Sequence, residues 1–594
     1  MKRILMAAAA ITLMMTMTVL TACTSDNDDN TAKEPADASA FVGTWYTDLT
    51  GQTHPLWNYG KAWNVWTFQT DGTGVCDVFY TLKDEPIAIE HQPFTYTVGE
   101  GVVKVEMADG PWDCTYEFSG DKLTLDETEV FDKANAEQIA RFEEWGKRDL
   151  IPVSGTPARY TVFIYGNAGG PMDNLVESCV WEKIKPLLTD STNVRVVSFY
   201  KYGKDSKSKY GQDGDIVWFE LNAQTDLTKI KEHGIKATSL GQYAEDWKLC
   251  DPQNLNMFLQ FSSLICPAYN YILTFYGHGG GFDPTADVPE KYSDASRTSR
   301  GVLYDEWVND EALDMYELNQ ALEAAGGSKL KALFLHNCLL GNMETLTQVR
   351  NSADYLFASA HLLASNQTLF YEYIRSLVET DDFEAAGKLA FERIGSQMKK
   401  WYQDASEDGP MANGDFKMIR TSDIDGILNA TKRLASRLVA LYPTQKEAID
   451  RATVSVYRFD LERPEPELSF IKPFFDLGDY ARKVAEETGD SELKTISKDL
   501  DDAFSKAFVC YTDVNLNQQH LDHYTLSVCL YHNLFYTLGV DVLSQIGLNA
   551  LNNIQEGYEQ CDFHKLTGWG NWLNANEKLP WGNPVNRGGE PLNQ

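Results

Sequence analysis

What this chain lacks narrows it first. None of its 10 cysteines stands in a CxxC pair, so neither a zinc ribbon nor a dense disulfide framework is indicated. No nucleotide fingerprint is present. Gly279-Gly280-Gly281 runs into Phe282 and Asp283, not into the Gly-Lys-Ser/Thr that completes a phosphate loop. No long internal repeat is found. Positive charge is scarce, with Lys+Arg 52 against Asp+Glu 86 and a net charge of −34. That balance argues against nucleic acid as a partner and favours solubility, but says nothing about fold. What remains is 43% hydrophobic and 12% aromatic residues, the composition of a globular protein. At 594 residues one core is too few, and two to four domains are expected.

The chain divides by character into six stretches. Residues 1–23 are a targeting segment: Lys2 and Arg3 precede the apolar run Ile4 to Leu20, which is short for a spanning helix and is followed by acid. The ending Leu20-Thr21-Ala22-Cys23 resembles the lipobox of bacterial lipoproteins, which implies cleavage before Cys23 and lipidation there. The resemblance makes a lipid anchor the chain's only membrane attachment, on the outer membrane or cell surface of a Gram-negative bacterium. Residues 24–40 are polar and acidic and read as a disordered tether. Residues 41–132 hold short alternating runs (Val65 to Phe68, Phe94 to Val98, Trp112 to Phe118, Leu123 to Leu125) separated by turn signals, which predicts a small all-β barrel or sandwich. Gly43-Thr44-Trp45-Tyr46 and Gly120 to Leu125 resemble the lipocalin-like domains carried by many Bacteroidota lipoproteins, here read as a spacer or docking module. Within it Cys76 and Cys114 fall in strand-like stretches and could pair. Residues 133–158 form a helix and a Pro/Gly linker.

From residue 159 to 400, apolar strand runs alternate with helical stretches, so an α/β domain with a parallel sheet and helices on both faces is expected. Residues 401–594 are mainly helical, with strands expected at Thr453 to Tyr457 and at Tyr524 to Leu530, and a closing amphipathic helix near Phe563 to Asn576.

Two runs carry chemistry. Tyr271-Ile-Leu-Thr-Phe-Tyr-Gly-His278 and Lys331-Ala-Leu-Phe-Leu-His-Asn-Cys338 each read as a buried strand. Each ends on a reactive side chain, and ligands of open parallel sheets bind beyond the carboxyl ends of strands. An imidazole and a thiol at one mouth are the minimum for a cysteine nucleophile with its base. The amides of Gly279 and Cys338 are natural oxyanion donors. A helix expected from Gly341 would lower the thiol pKa. An odd number of cysteines besides Cys23 leaves at least one free thiol unless a partner chain supplies another, and Cys338 is the candidate.

With these residues in view, the chain resembles the clostripain family of cysteine peptidases, in the caspase–gingipain clan. The likeness runs from Tyr160 to the end. It is carried by Tyr160 to Asn167, Asp251 to Leu259, Tyr271 to Gly281, Ser299 to Asp305, Met315 to Leu322, Asn337 to Glu344, Ala353 to Ser359 and Leu566 to Leu573. It implies a caspase-like fold, a His278/Cys338 catalytic dyad, and peptide or protein substrates. It departs from the family at the pocket. The family's Asp two residues before the cysteine is His336 here, in His336-Asn337-Cys338, and Ala360-His361 follows Ser359 where acidic residues are common. Strand alternation would put residue 336 on the same face as 338. His336, Asn337, Ser359 and His361 are therefore the expected specificity pocket, and the family's Arg/Lys preference is not carried over, because a buried unpaired charge is costly. The resemblance also implies self-processing between His and Cys, where Lys291, Arg297 and Arg300 stand. It makes calcium possible, but Asp283, Asp287, Asp305 and Asp310 lack EF-hand spacing, and no cofactor is expected. The expected function is a lipid-anchored cysteine endopeptidase. The rival is a catalytically silent surface lipoprotein that binds a host or glycan ligand.

Overall fold

The computed structural model describes residues 38–49, 60–82, 85–108, 110–148, 150–153, 157–189, 192–233, 247–282, 301–308, 311–324, 329–364, 369–403, 413–459, 474–515, 524–529, 558 and 560–575. Cys23, Asp283, Asp287, Lys291, Arg297, Arg300 and Asp310 lie outside these residues. Among the described residues no helix is long and apolar enough to cross a membrane.

The N-terminal strands are β1 (Gly43–Asp48), β2 (Gly60–Phe68), β3 (Thr73–Leu82), β4 (Glu85–Val98), β5 (Val102–Met107), β6 (Gly110–Ser119), β7 (Lys122–Leu125) and β8 (Glu129–Lys133). Each pairs antiparallel with the next, and β8 returns to β1, so the ladder closes as a barrel. Closure removes free edges. Alternation turns Trp45, Trp66, Phe68, Phe94, Phe131 and their neighbours inward, where they fill the barrel with side chains. Cys76 and Cys114 are both buried free thiols, so the pairing open to them is not made. Helix α1 (Ala136–Gly146) starts on a capping box between Asn135 and Gln138. It lays Phe142 and Trp145 on the barrel wall beside Val65 and Phe79. Another part of the wall (Ala62, Val78, Tyr80, Ile87, Ala88) shares one apolar cluster with Ala158, Trp218 and Phe258 of the second unit. The barrel is thus seated on that unit, tied by β9 (Ile151–Pro152) pairing parallel to β4.

The second unit is an eight-stranded mixed sheet. Its strands are β10 (Ala158–Asn167), β11 (Val194–Lys201), β12 (Ile216–Leu221), β13 (Ala268–Gly277), β16 (Leu330–His336), β17 (Ala353–Ala358), β18 (Asn413–Arg420) and β20 (Phe508–Asn515), in the order β12-β11-β10-β13-β16-β17-β18-β20. The five strands from β11 to β17 in sheet order run parallel; β12 and β18 run against them, and β20, antiparallel to β18, runs with them again. Taken by chain order, the parallel set reads 2-1-3-4-5, so the order reverses between β10 and β13, where α/β sheets bind ligands. The central strands are buried on both faces, as their unbroken apolar runs require. One face packs on helices α2 (Pro252–Ile265), α3 (Met315–Ala324), α4 (Met343–Val349) and α7 (Ile424–Ser455). The other packs on the helical segment 173–187, α5 (Leu369–Glu379) and α6 (Phe383–Gln403).

Several expectations change. The sheet is mixed, not all parallel, and it runs past residue 400 through β18 and β20, so no break in the sheet falls there. The strand expected at Thr453 is the last turn of α7. Thr453 favours a strand alone, but it continues the buried stripe of Ile449 and Ala452, and tertiary packing overrides propensity; Val456 is the extended residue that ends the helix. The later strand is only β21 (Ser527–Cys529), paired with β19 (Phe474–Asp476). Helices α8 (Leu477–Thr488) and α9 (Ser491–Ala507) lead into β20. The closing helix is two, α10 (Asp562–Thr567) and α11 (Trp569–Ala575), divided at Gly568 in the left-handed region. Between residues 301 and 313 the chain folds a hairpin, β14 (Val302–Asp305) and β15 (Glu311–Leu313).

Candidate active site

The ends of β10, β13 and β16 meet at the point where the sheet order reverses. Beyond β13, Gly279 seats directly on the Cys338 backbone: a Cβ built there would stand 2.5 Å from the Cys338 carbonyl oxygen and 3.0 Å from its nitrogen. Only glycine permits that approach. Asn337 straps the two ends together, its Nδ2 donating to the carbonyls of Gly277 (2.9 Å) and His278 (3.0 Å). The His278 carbonyl also accepts from Leu303 N–H at 3.1 Å, which docks the β14 hairpin on the site.

His278 is exposed, and its ring stacks on Tyr304 with centroids 5.9 Å apart. A Cβ on Gly169 would lie 3.5 Å from His278 Nε2 and 3.2 Å from Glu306 Oε1, so an imidazole and a carboxylate converge with no side chain between them. Glu306 is held by the N–H groups of Lys204 (2.7 Å) and Gly170 (3.3 Å). The hairpin that presents it is anchored by Asp305, fully buried with Lys201 and 2.8 Å from its Nζ. Asp305 is therefore committed to an ion pair with Lys201. Among the described residues no group of three or more His, Cys, Asp or Glu side chains could hold a metal.

Cys338 is half-buried, and its Sγ accepts a hydrogen bond from Leu363 N–H at 3.3 Å. Seven other cysteines sit in surroundings that favour the protonated thiol. Burial pushes Cys114, Cys250 and Cys510 up to about 12 and raises Cys76, Cys179, Cys266 and Cys561 as well. The helix expected to lower the Cys338 pKa begins only at Met343, and Asn342 already caps it by accepting from Thr345 N–H. The donor aimed at the sulfur is a backbone amide from another loop.

The pocket residues do not lie as strand alternation suggested. Strand β16 stops at His336. His336 stacks on Tyr276 at 5.0 Å and Cys338 packs against the opposite cluster, so the two do not share a face. Exposure is 6% for His336, 1% for Asn337, 0% for Ser359 and 4% for His361; all four side chains are interior. Asn337 is the strap already described. Ser359 Oγ donates to Asp415 at 2.9 Å. The His361 ring lies between Asp415 (Nδ1, 2.9 Å) and the Tyr457 hydroxyl (Nε2, 2.8 Å). Sequence reasoning missed Glu306, Leu363, Asp415 and Lys417. Asp415 and Lys417 stand two apart in Asn413 to Arg420, a spacing that shares a strand face, but their partners are remote in sequence.

The comparisons with known proteins agree in kind. A model described as the clostripain family matches residues 191–569, more than half of the chain. Solved structures that are similar include a secreted C11 cysteine protease from Bacteroides thetaiotaomicron in complex with an irreversible peptide inhibitor (13% identity, 69% of this chain and 99% of that chain, TM-score 0.44). Another, named iotapain, is a secreted C11 cysteine protease from the same organism (16% identity, 69% and 99%, TM-score 0.45). A third is an inactive zymogen C11 protease from Parabacteroides distasonis (15% identity, 69% and 99%, TM-score 0.41). Among curated proteins none matches.

Proposed function

From the premise that the chain belongs to the clostripain family and is a cysteine-type peptidase, we propose that it is a lipid-anchored endopeptidase working through Cys338 and His278. The observation that carries this is the seating of Gly279 on the Cys338 backbone, which brings the residue after the base against the nucleophile. In this reading His278 takes the Cys338 proton, and the thiolate attacks the peptide carbonyl. The N–H groups of Gly279 and Cys338 face the oxyanion. His278 then protonates the leaving amine, and a water activated by the same imidazole hydrolyses the thioester. Every proton taken is returned, and no cofactor enters.

We read the α/β unit as caspase-like and the barrel as lipocalin-like. Cys23 carries the lipid, and the envelope or cell surface of a Gram-negative cell is the location. The P1 preference is not Arg or Lys, because His336 stands where the family places a carboxylate. The test is the chain from Thr24, with a P1-diverse peptide library, beside Cys338→Ala, with and without calcium. Cleavage that disappears in the variant supports the dyad. Cleavage that persists sinks it, and no cleavage by either protein leaves a latent zymogen or the silent binding lipoprotein.

A further inference from the structure

The loop after β17 is built under the nucleophile. Residues 359–363 run beside 338–341, with Leu339 N–H donating to the His361 carbonyl (3.0 Å) and Gly341 N–H to the Ser359 carbonyl (2.7 Å). The same loop delivers Leu363 N–H to Cys338 Sγ. Its shape is imposed from below by one buried carboxylate. Asp415 Oδ1 accepts from Ser359 Oγ (2.9 Å), Ala360 N–H (3.0 Å), His361 N–H (2.9 Å) and His361 Nδ1 (2.9 Å). Its Oδ2 meets Lys417 Nζ, and both side chains are fully buried. With Lys417 and His361 beside it, Asp415 stays ionised well below the usual carboxylate range despite its burial. An ionised carboxylate only accepts, so His361 Nδ1 carries the proton and Nε2 faces Tyr457. Tyr402 adds a further hold, its hydroxyl donating to the Leu362 carbonyl at 2.7 Å.

We infer that Asp415 is a positioning residue for the nucleophile: through Ser359, Ala360 and His361 it aims the Leu363 N–H at the Cys338 thiolate. A hydrogen bond to the charged form of an acid favours that form, which supplies what the expected helix N-terminus does not. The inference rests on Cys338 being the nucleophile. The titratable groups around the thiol and its supporting loop include His278 from the end of β13, Tyr402 from α6, Asp415 and Lys417 from β18, Asp513 from β20, 4.0 Å from Lys417, Tyr457, and Tyr524, whose ring packs on His361 at 4.5 Å. Of these, Asp415 alone bonds the loop at four points.

The test needs no substrate. The rate of Cys338 alkylation by iodoacetamide is followed against pH, by mass of the Cys338 peptide, in the chain from Thr24. The variants are Asp415→Asn, the pair Asp415→Asn with Lys417→Met, which removes the Lys417 charge together with that of Asp415, and the milder Ser359→Ala. Circular dichroism reports folding. The midpoint is expected to rise by about one pH unit in the folded Asp415 variants, and by less, in the same direction, in Ser359→Ala. On a cleaved peptide, kcat is expected to fall about tenfold with KM little changed. A folded variant whose alkylation midpoint matches the wild type overturns the inference and leaves Asp415 a strut of the fold. If both Asp415 variants unfold, an unchanged midpoint in Ser359→Ala overturns it equally. Turnover that persists in Cys338→Ala would instead defeat the nucleophile assignment, a result separate from the alkylation midpoint.

Discussion

Gly279→Ala is the sharpest perturbation of this site. The added methyl carbon would stand 2.5 Å from the Cys338 carbonyl oxygen, 2.7 Å from Asn337 Cβ and 3.0 Å from the Cys338 nitrogen. None of these is the free end of a flexible side chain; two are backbone atoms and the third is the root of the strap. To restore van der Waals contact the ends of β13 and β16 must part by about 1 Å, and such overpacking costs about 1–3 kcal/mol of stability. The catalytic loss is larger, because a displacement of about 1 Å between reacting groups can cost about 100-fold in rate. The assay is kcat/KM on the best peptide from the library, beside alkylation of Cys338 and thermal unfolding. Alkylation needs only the thiol, so it is expected to survive within a few-fold while kcat/KM falls about 100-fold. Gly146→Ala, where a methyl meets nothing within 4 Å, is the control. A folded Gly279→Ala enzyme with kcat/KM within about threefold of wild type would refute the claim that these two ends must touch.

Three further outcomes are expected. Lys201→Met leaves Asp305 buried without its partner and should cost about 3–5 kcal/mol, read as a loss of thermal stability. Most of it should return in Lys201→Met with Asp305→Leu, and a single variant as stable as wild type would count against the anchor. Burial raises the Glu129 carboxyl to about 7, so between about pH 4.5 and 7 the folded barrel holds a proton that the unfolded chain has lost. Barrel stability should therefore fall as pH rises through that window. Glu129→Gln should abolish the slope in hydrogen exchange of the barrel strands, whereas a slope that persists assigns it elsewhere. His336→Asp restores the family's carboxylate two residues before the nucleophile, at a position that stacks on Tyr276 in the interior; a rise of about tenfold in cleavage after Arg or Lys over neutral P1 residues keeps residue 336 among the groups that read P1, and an unchanged P1 profile removes it.

The chemistry-bearing strands were legible because they are local. Tyr271 to Gly277 and Lys331 to His336 are apolar runs that admit little but buried strands, and each delivers its reactive residue just past its end. The barrel strands were legible for the same reason, through alternation and turns. Strands β18 and β20 were not, because they carry charge. Lys417 and Asp415 are fully buried but look like surface residues until the neighbours that neutralise them are known. The shared face expected for residues 336 and 338 was lost for a related reason, since alternation from His336 to Cys338 assumed a strand that ends at His336.

By itself, then, the sequence determined the apolar central strands and the alternating barrel strands, which side chains close the two central strands, and which family the chain belongs to. Periodicity and short motifs are properties of neighbouring residues. Tertiary structure alone decided that the sheet reverses order beside His278, that Glu306 arrives there on a hairpin, and that the thiol's donor is Leu363. It also decided that Asp415 lies beneath His361. Such contacts join residues tens of positions apart, and they exist only once strand order and register have brought remote segments together.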